Sequence, residues 1–393
     1  MPLPSPNLYP SFNTVRLSHA CLNVADLDRS KVFYTEILGL HVSDETEGHV
    51  YLRAVEERGH HSVILQKSDD PGTVEVMGFK TFDEEDLDRA EAEFRAKGRP
   101  TQWVERPYQG RTLLTSDNIG ISLEFYHKMD RLPSLHQKFA LYRGVKPLRI
   151  DHFNCFSPDV DASVAFYNDI GFRVTEYTED EASGKLWAAW MHRKGGVHDM
   201  AFTNGRGPRM HHIAFWVPTP LNIIDLLDLM ATTGYVSNIE RGPGRHGISN
   251  AFFLYILDPD GHRIEVYCSD YQTVDPDHEP IKWDLKDPQR QTLWGMAAPK
   301  SWFEHGTEFI GVAPRESALN ATPIIAPQGL GLKRRFFQLG PVALVPPRAP
   351  WPCCAASQAK SSIPAPRPPQ SVLARGSKPD ASHQAVQHYS AIA

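Results

Sequence analysis

Residues 16–40 and 149–172 of this chain are two versions of one segment, RLSHACLNVADLDRSKVFYTEILGL and RIDHFNCFSPDVDASVAFYNDIGF. In each, an Arg (Arg16, Arg149) is followed three residues later by a His (His19, His152) and seven beyond that by an Asp (Asp26, Asp159); a Phe-Tyr pair then precedes a Gly. The far ends repeat too. GISLEFY at 120–126 lies over GHRIEVY at 261–267 and sets Glu124 opposite Glu265. Between these ends the correspondence breaks, because His212 in RMHHIAFWV aligns with Gly78 in EVMGFKTF. The second copy therefore offers His152, His212 and Glu265, and the first only His19 and Glu124. Two imidazoles and one carboxylate from separate strands form the ligand set of open-sided non-haem iron sites. The second copy reads as an oxygen-using metal centre and the first as its metal-free partner.

Each half divides again, giving four modules of one plan. In the third, a strand near 149–156 leads into an amphipathic helix near 159–169, with Val160, Val164 and Tyr167 at helical spacing. Strands follow near 172–178, 186–192 and 197–203. The fourth repeats this with a strand at 210–217, a helix at 219–232 and strands near 236–240, 251–257 and 263–268, punctuated by Gly242-Pro243-Gly244 and Asp258-Pro259-Asp260-Gly261. Modules one and two occupy roughly 14–67 and 73–128. The expected class is α+β: four βαβββ modules paired into two barrel-like domains.

Side chains alternate between the faces of a strand, so parity tests whether the three candidates converge. Ile213, Phe215 and Val217 make an apolar row that a helix would cover, which turns His212 the other way and selects it over His211. By the same rule Ile264, Val266 and Cys268 oppose Glu265, and Phe153 and Cys155 oppose His152 and Asn154. All three point away from the helices, into the concavity of the sheet.

Composition narrows the class of partner. The net charge of −6 is unevenly spread: residues from Ala297 on carry 10 Lys and Arg against 4 Asp and Glu, leaving 31 against 43 before them. An acidic body argues against general nucleic-acid binding. No apolar run approaches the ~20 residues that span a bilayer, and MPLPSPNLYPSFN lacks the character of a signal peptide; a cytoplasmic protein is expected. Five cysteines without CxxC pairing exclude a disulfide scaffold, and Cys353-Cys354 reads as incidental. From Ala297 the chain is Pro-rich and aperiodic, the composition of a disordered tail.

The run RGPGRHGISNAFFLYILDPDGHRIEVY at 241–267, with WMHRKGGVHD at 190–199 and GPRMHHIAF at 207–215, resembles the extradiol catechol dioxygenases of the vicinal oxygen chelate superfamily, in particular those acting on 3,4-dihydroxyphenylacetate. The similarity covers about residues 14–296. It implies that His152, His212 and Glu265 hold Fe(II), or Mn(II) as in close relatives, and that a catechol and O2 are the substrates. The product would be 5-carboxymethyl-2-hydroxymuconate semialdehyde. It further implies that His198 is the acid–base group beside the oxygen site, that Tyr255 hydrogen-bonds a substrate oxygen, and that His246 orients the substrate. Asn154 and Trp190 would line the oxygen and ring pockets. Arg241, Arg245 and Arg290 could meet a carboxylate on the substrate, since guanidinium matches carboxylate bidentately, although relatives carry a basic residue where this chain has Gln291. The family also implies a homo-oligomer, a tetramer.

The expected division is an arm at 1–13, a domain without a complete metal site at 14–130, a linker at 131–148, the catalytic domain at 149–296 and the tail at 297–393. Two other readings fit the same modules: a glyoxalase-like isomerase, which draws four ligands from two modules, and a metal-free small-molecule binder.

Overall fold

Alternating apolar residues give strands and one capped amphipathic stretch per module gives a helix; in the computed structural model, which describes residues 3–325, this unit recurs four times. The first comprises β1 (Thr14–Val24), α1 (Leu27–Val32), β2 (His41–Glu45), β3 (His49–Arg53) and β4 (Val63–Lys67). The second comprises β5 (Thr73–Thr81), α2 (Glu85–Ala96), β6 (Thr101–Val104), β7 (Thr112–Ser116) and β8 (Ser122–Tyr126). The third is β9 (Arg149–Ser157), α3 (Val160–Asp169), β10 (Arg173–Asp180), β11 (Lys185–His192) and β12 (Met200–Asn204). The fourth is β13 (Arg209–Trp216), α4 (Pro220–Thr232), β14 (Ile239–Arg245), β15 (Phe252–Leu257) and β16 (Arg263–Cys268). Three short strands follow: β17 (Ile281–Asp284), β18 (Trp294–Gly295) and β19 (Thr307–Phe309), with α5 (Lys300–Glu304) before the last.

Local chemistry sets the helix starts. Asp159 caps α3 by accepting from the Ala162 N–H at 3.0 Å. At α4 the side-chain Oδ1 of Asn222 accepts from the Thr219 N–H at 3.2 Å and from the Thr219 hydroxyl at 2.9 Å, with Pro220 at the first helical position. The anticipated helical row of Val160, Val164 and Tyr167 is buried. Within each half the first strands of the two modules run antiparallel side by side (β1 with β5, β9 with β13), and each also pairs in parallel with the last strand of its own module. One apolar core packs the helices against the outer faces of both halves. Smaller clusters, including Ala214, Tyr255 and Tyr267 in one and Trp187, Trp190 and Ala201 in another, line the inner face of the second half.

Three expectations need correction. The strand placed at 197–203 begins only at Met200, because the Asp199 carboxylate takes the Arg193 and Lys194 N–H groups and holds the preceding residues out of the ladder. The strand placed at 236–240 runs instead over Ile239–Arg245, after a single 3-10 turn. The third concerns the segment after 296. Residues 297–325 are not an unpacked tail: Trp302 and Phe309 are buried, and β19 pairs antiparallel with β13 and parallel with β5, joining the two halves. Its anchors are single aromatics spaced by Pro and Gly, so they leave no periodic trace. Cys353-Cys354 lies outside the described residues. Among the described residues no helix is long and apolar enough to cross a membrane.

Candidate metal centre

The pairing register brings the three candidates together. Ala214 in β13 lies opposite His152 of β9 on one side and Glu265 of β16 on the other, and His212 lies two residues away on the same face. The turn at Asp258–Gly261 makes the last approach possible: Gly261 takes φ +91°, a conformation suited to glycine, while Asp258 Oδ1 accepts from the Asp260 and His262 N–H groups. His152 Nε2 lies 3.2 Å from His212 Nε2, and both lie 3.1 Å from Glu265 Oε2. All three are buried. Among the described residues this is the one group of His, Cys, Asp or Glu side chains whose ligating atoms gather so closely.

The opposite ring nitrogens are already engaged. His152 Nδ1 is 3.1 Å from Asp151 Oδ2, a carboxylate that also accepts from the Tyr267 hydroxyl. His211 Nε2 donates to the Trp302 carbonyl at 2.8 Å, so its Nδ1 is left to accept from His212 Nδ1 at 2.6 Å. Burial keeps His211 neutral by pushing its pKa well below the usual range. These hydrogen bonds assign both ligand histidines the tautomer that turns an Nε2 lone pair toward Glu265. Two imidazole lone pairs and a carboxylate, converging from one side and backed by hydrogen bonds on the other, fit a divalent cation. Burial opposes the charge on Glu265, yet the two imidazoles beside it, His152 and His212, hold its carboxyl well below the usual range. Burial likewise opposes charge on the imidazoles: contacts with Asp151 and Glu265 outweigh it at His152, which is raised, but not at His212, which falls to about 4.

A cavity opens beside the triad, walled by Asn154, Trp187, Trp190, His198, His246, Tyr255, Arg290, Gln291 and Trp302. The His198 ring centroid lies 3.8 Å from that of His152, and burial pushes the His198 pKa well down, leaving it neutral. Tyr255, opposite Glu265 in the ladder, lies 3.1 Å from His246 Nε2; since His246 Nδ1 donates to the Gln291 carbonyl, the tyrosine hydroxyl is the donor. Asn154 accepts from the Thr203 hydroxyl at 3.1 Å.

Arg290, 1% exposed, lines the cavity with its guanidinium over Trp187; Arg241, also 1% exposed, does not line it but packs against Phe253, Tyr255 and Trp302, with its Nη2 donating to the Thr292 hydroxyl at 2.8 Å and the Gln291 carbonyl at 3.1 Å. Among the described residues neither has an acidic partner, and Nε and Nη1 of Arg241 and Nε and Nη2 of Arg290 have no hydrogen-bond acceptor. Burial lowers both to about 10. Arg245 is not brought in: its guanidinium bonds the Asn250 carbonyl and does not line the cavity.

The first half holds a counterpart with a corrected register. Gly78 lies opposite both His19 and Glu124, as Ala214 lies opposite His152 and Glu265, so Val76 and not Gly78 stands in the place of His212. Gly78 has its own reason: a Cβ there would fall 2.1 Å from the His19 ring. His19 Nε2 lies 2.7 Å from Glu124 Oε1, and Arg106 and Gln109 each reach the same carboxylate at 2.9 Å. Several supporting residues escaped the reading of the sequence: Asp151, Tyr267, Lys194, His211 and Trp302. Asp151 and Tyr267 were detectable, because the repeat sets Ser18 and Tyr126 in their places and those two are likewise hydrogen-bonded to each other.

Comparison with known proteins agrees with this geometry. Residues 16–125 and 149–266 both match the model of the glyoxalase, bleomycin resistance protein and dioxygenase superfamily. A metapyrocatechase of Geobacillus stearothermophilus is 31% identical over 315 residues, 76% of this chain and 95% of that protein. A manganese-dependent 2,3-dihydroxybiphenyl 1,2-dioxygenase of Geobacillus genomosp. 3 is 31% identical over 71% of this chain and 93% of its own length. Among solved structures, homoprotocatechuate 2,3-dioxygenase from Brevibacterium fuscum in complex with 3,4-dihydroxyphenylacetate superposes with a TM-score of 0.75 at 42% identity, covering 80% of this chain and 99% of that one. The repeated modules, the His-His-Glu triad and these likenesses together show that the chain belongs to the glyoxalase, bleomycin resistance protein and dioxygenase superfamily, on its extradiol ring-cleaving branch.

Proposed function

We propose that this protein cleaves the ring of 3,4-dihydroxyphenylacetate beside its two hydroxyls, inserting both atoms of O2 to give 5-carboxymethyl-2-hydroxymuconate semialdehyde. His152, His212 and Glu265 would hold Fe(II) or Mn(II). When bound, the metal supplies Lewis acidity toward the two catechol hydroxyls and a common centre for ring and dioxygen. The protein's own groups do the rest. Trp190 walls the ring's position, and Asn154 lies beside the oxygen's. His198, neutral and facing the cavity, accepts a hydroxyl proton and returns it as the ring opens. Tyr255, held in place by its hydrogen bond to His246, keeps its oxygen lone pairs free to accept from a substrate hydroxyl.

The observation that carries the substrate is the pair of buried arginines without acidic partners. A buried cation left unpaired is costly, and a carboxylate on the substrate side chain supplies what Arg241 and Arg290 lack. Such a charge-assisted contact adds about 1.5–3 kcal/mol, or roughly 10–150-fold in affinity. The test loads the protein anaerobically with Fe(II) and follows O2 uptake and the yellow semialdehyde across a panel of catechols. 3,4-Dihydroxyphenylacetate should exceed catechol in kcat/KM, and Arg241→Ala should erase much of that preference while sparing catechol turnover. Catechol or a methylcatechol as the better substrate would make the arginines structural and leave extradiol cleavage standing. A homotetramer is also proposed, to be read by sedimentation.

A further inference from the structure

If His198 is the acid–base group, its placement is an open problem of geometry. Its imidazole makes no hydrogen bond among the described residues, and its Nδ1 is buried without a partner. No side chain hydrogen-bonds the ring, so its aim rests on the main chain and on its packing against His152. That stretch lies just before β12, flanked by backbone bonds on either side: the Thr175 hydroxyl donates to the Val197 carbonyl at 2.6 Å, the Asp199 N–H donates to the Met191 carbonyl at 2.8 Å, and the Asp199 carbonyl accepts from the Phe153 N–H at 3.0 Å.

Lys194 and Asp199 tie it down. Lys194 Nζ donates to the His198 carbonyl at 2.6 Å and to the Asp151 carbonyl at 2.5 Å, coupling the residue that carries the acid–base ring to the residue before His152. The same ammonium lies 3.5 Å from the carboxylates of both Asp151 and Asp199. Asp199 is fully buried, and its two oxygens accept from three backbone N–H groups: Arg193 at 2.7 Å, Lys194 at 3.0 Å and, from the other half of the molecule, Leu17 of β1 at 3.0 Å. Arg193 adds a second tie across the halves, from its Nε to the Thr14 carbonyl at 2.8 Å.

We infer that Lys194 and Asp199 form a positioning knot that sets His198 against His152, with β1 of the metal-free half supplying one of its donors. Neither residue lines the cavity, so both act through His198. The first half thereby takes part in the chemistry of the second, two residues from its own His19.

The inference rests on the acid–base reading of His198, and the experiment separates the two. Steady-state kinetics are compared for the wild type, Lys194→Met, His198→Asn and the double variant, all loaded with Fe(II). Lys194→Met should lower kcat roughly 10–100-fold, the usual cost of losing a supporting contact, with KM for the catechol and metal content unchanged. In the His198→Asn background the same change should cost less than about 2-fold, since there is no ring left to place. Independently of activity, hydrogen exchange in the metal-free protein should speed up over residues 193–199 in Lys194→Met. Asp199→Asn, which keeps the shape, serves if that variant does not fold, with the same expectations. Full turnover in His198→Asn would overturn the acid–base reading itself. A slow His198→Asn beside a normal Lys194→Met, or losses that multiply in the double variant, would overturn only the knot.

Discussion

At the scale of single residues, one position decides which half binds metal. Val76 and His212 occupy equivalent places in equivalent strands, and imidazole against isopropyl is the difference between a third ligand and none. The first half answers the remaining need with a residue of its own: Arg106 gives Glu124 a neutralising positive charge. His212→Ala should therefore abolish binding of the single Fe(II) or Mn(II), and His19→Ala should leave it at one per chain; two equivalents in the wild type, read by elemental analysis, would sink this. Glu124 also carries a pH signature. Burial pushes its carboxyl up, but the hydrogen bond and charge of His19, with Arg106 and Gln109, outweigh it and bring the pKa from 4.5 to about 2. A depressed carboxyl stabilises the fold fully above the unfolded value, near 4.5, and the contribution fades as pH falls toward 2. It amounts to about 3 kcal/mol. In the metal-free protein, Glu124→Gln should lower the thermal midpoint at pH 7, and the gap from the wild type should shrink by pH 3. A gap constant across that range would remove Glu124 from the account.

At the scale of elements, strand parity was the readable part. The alternation of Ile213, Phe215 and Val217 against His212 follows from geometry alone, and it placed His152, His212 and Glu265 on one face without any contact being known. What alternation does not supply is register between strands, and so the sequence alone sets Gly78 where Val76 stands: a two-residue slip keeps the same parity and leaves the same apolar pattern. Residues held by single bonds were equally opaque, since Lys194 and Trp302 sit in no periodic row. The segment carrying α5 and β19 shows the cost of reading only periodicity. Trp302 packs edge-on to His211 with centroids 4.4 Å apart, under the guanidinium of Arg241, and its carbonyl fixes the His211 ring. Ending the chain at Met296 should lower the thermal midpoint and weaken metal retention, both measurable on one sample by scanning calorimetry and chelator competition. Trp302→Ala alone should cost roughly 3–5 kcal/mol, the range for emptying a buried tryptophan site. An unchanged midpoint in the truncated chain would restore the picture of an unpacked tail.

At the scale of the whole molecule, duplication divides labour. One half keeps the triad and the cavity; the other keeps the scaffold and donates to the stretch that carries His198. The two are further joined by β19, which lies between β5 and β13. That strand is also nearly the last described part of the chain to be made, and this sets an order in time. A ribosome adding about 5–20 residues per second releases Glu265 some 2–7 seconds before Trp302. During that interval the three ligands exist without the tryptophan that later walls their cavity and steers the tautomer of His212. The three ligands are thus made first and one wall of their cavity last, so the site is assembled open and completed only when the segment after Met296 packs.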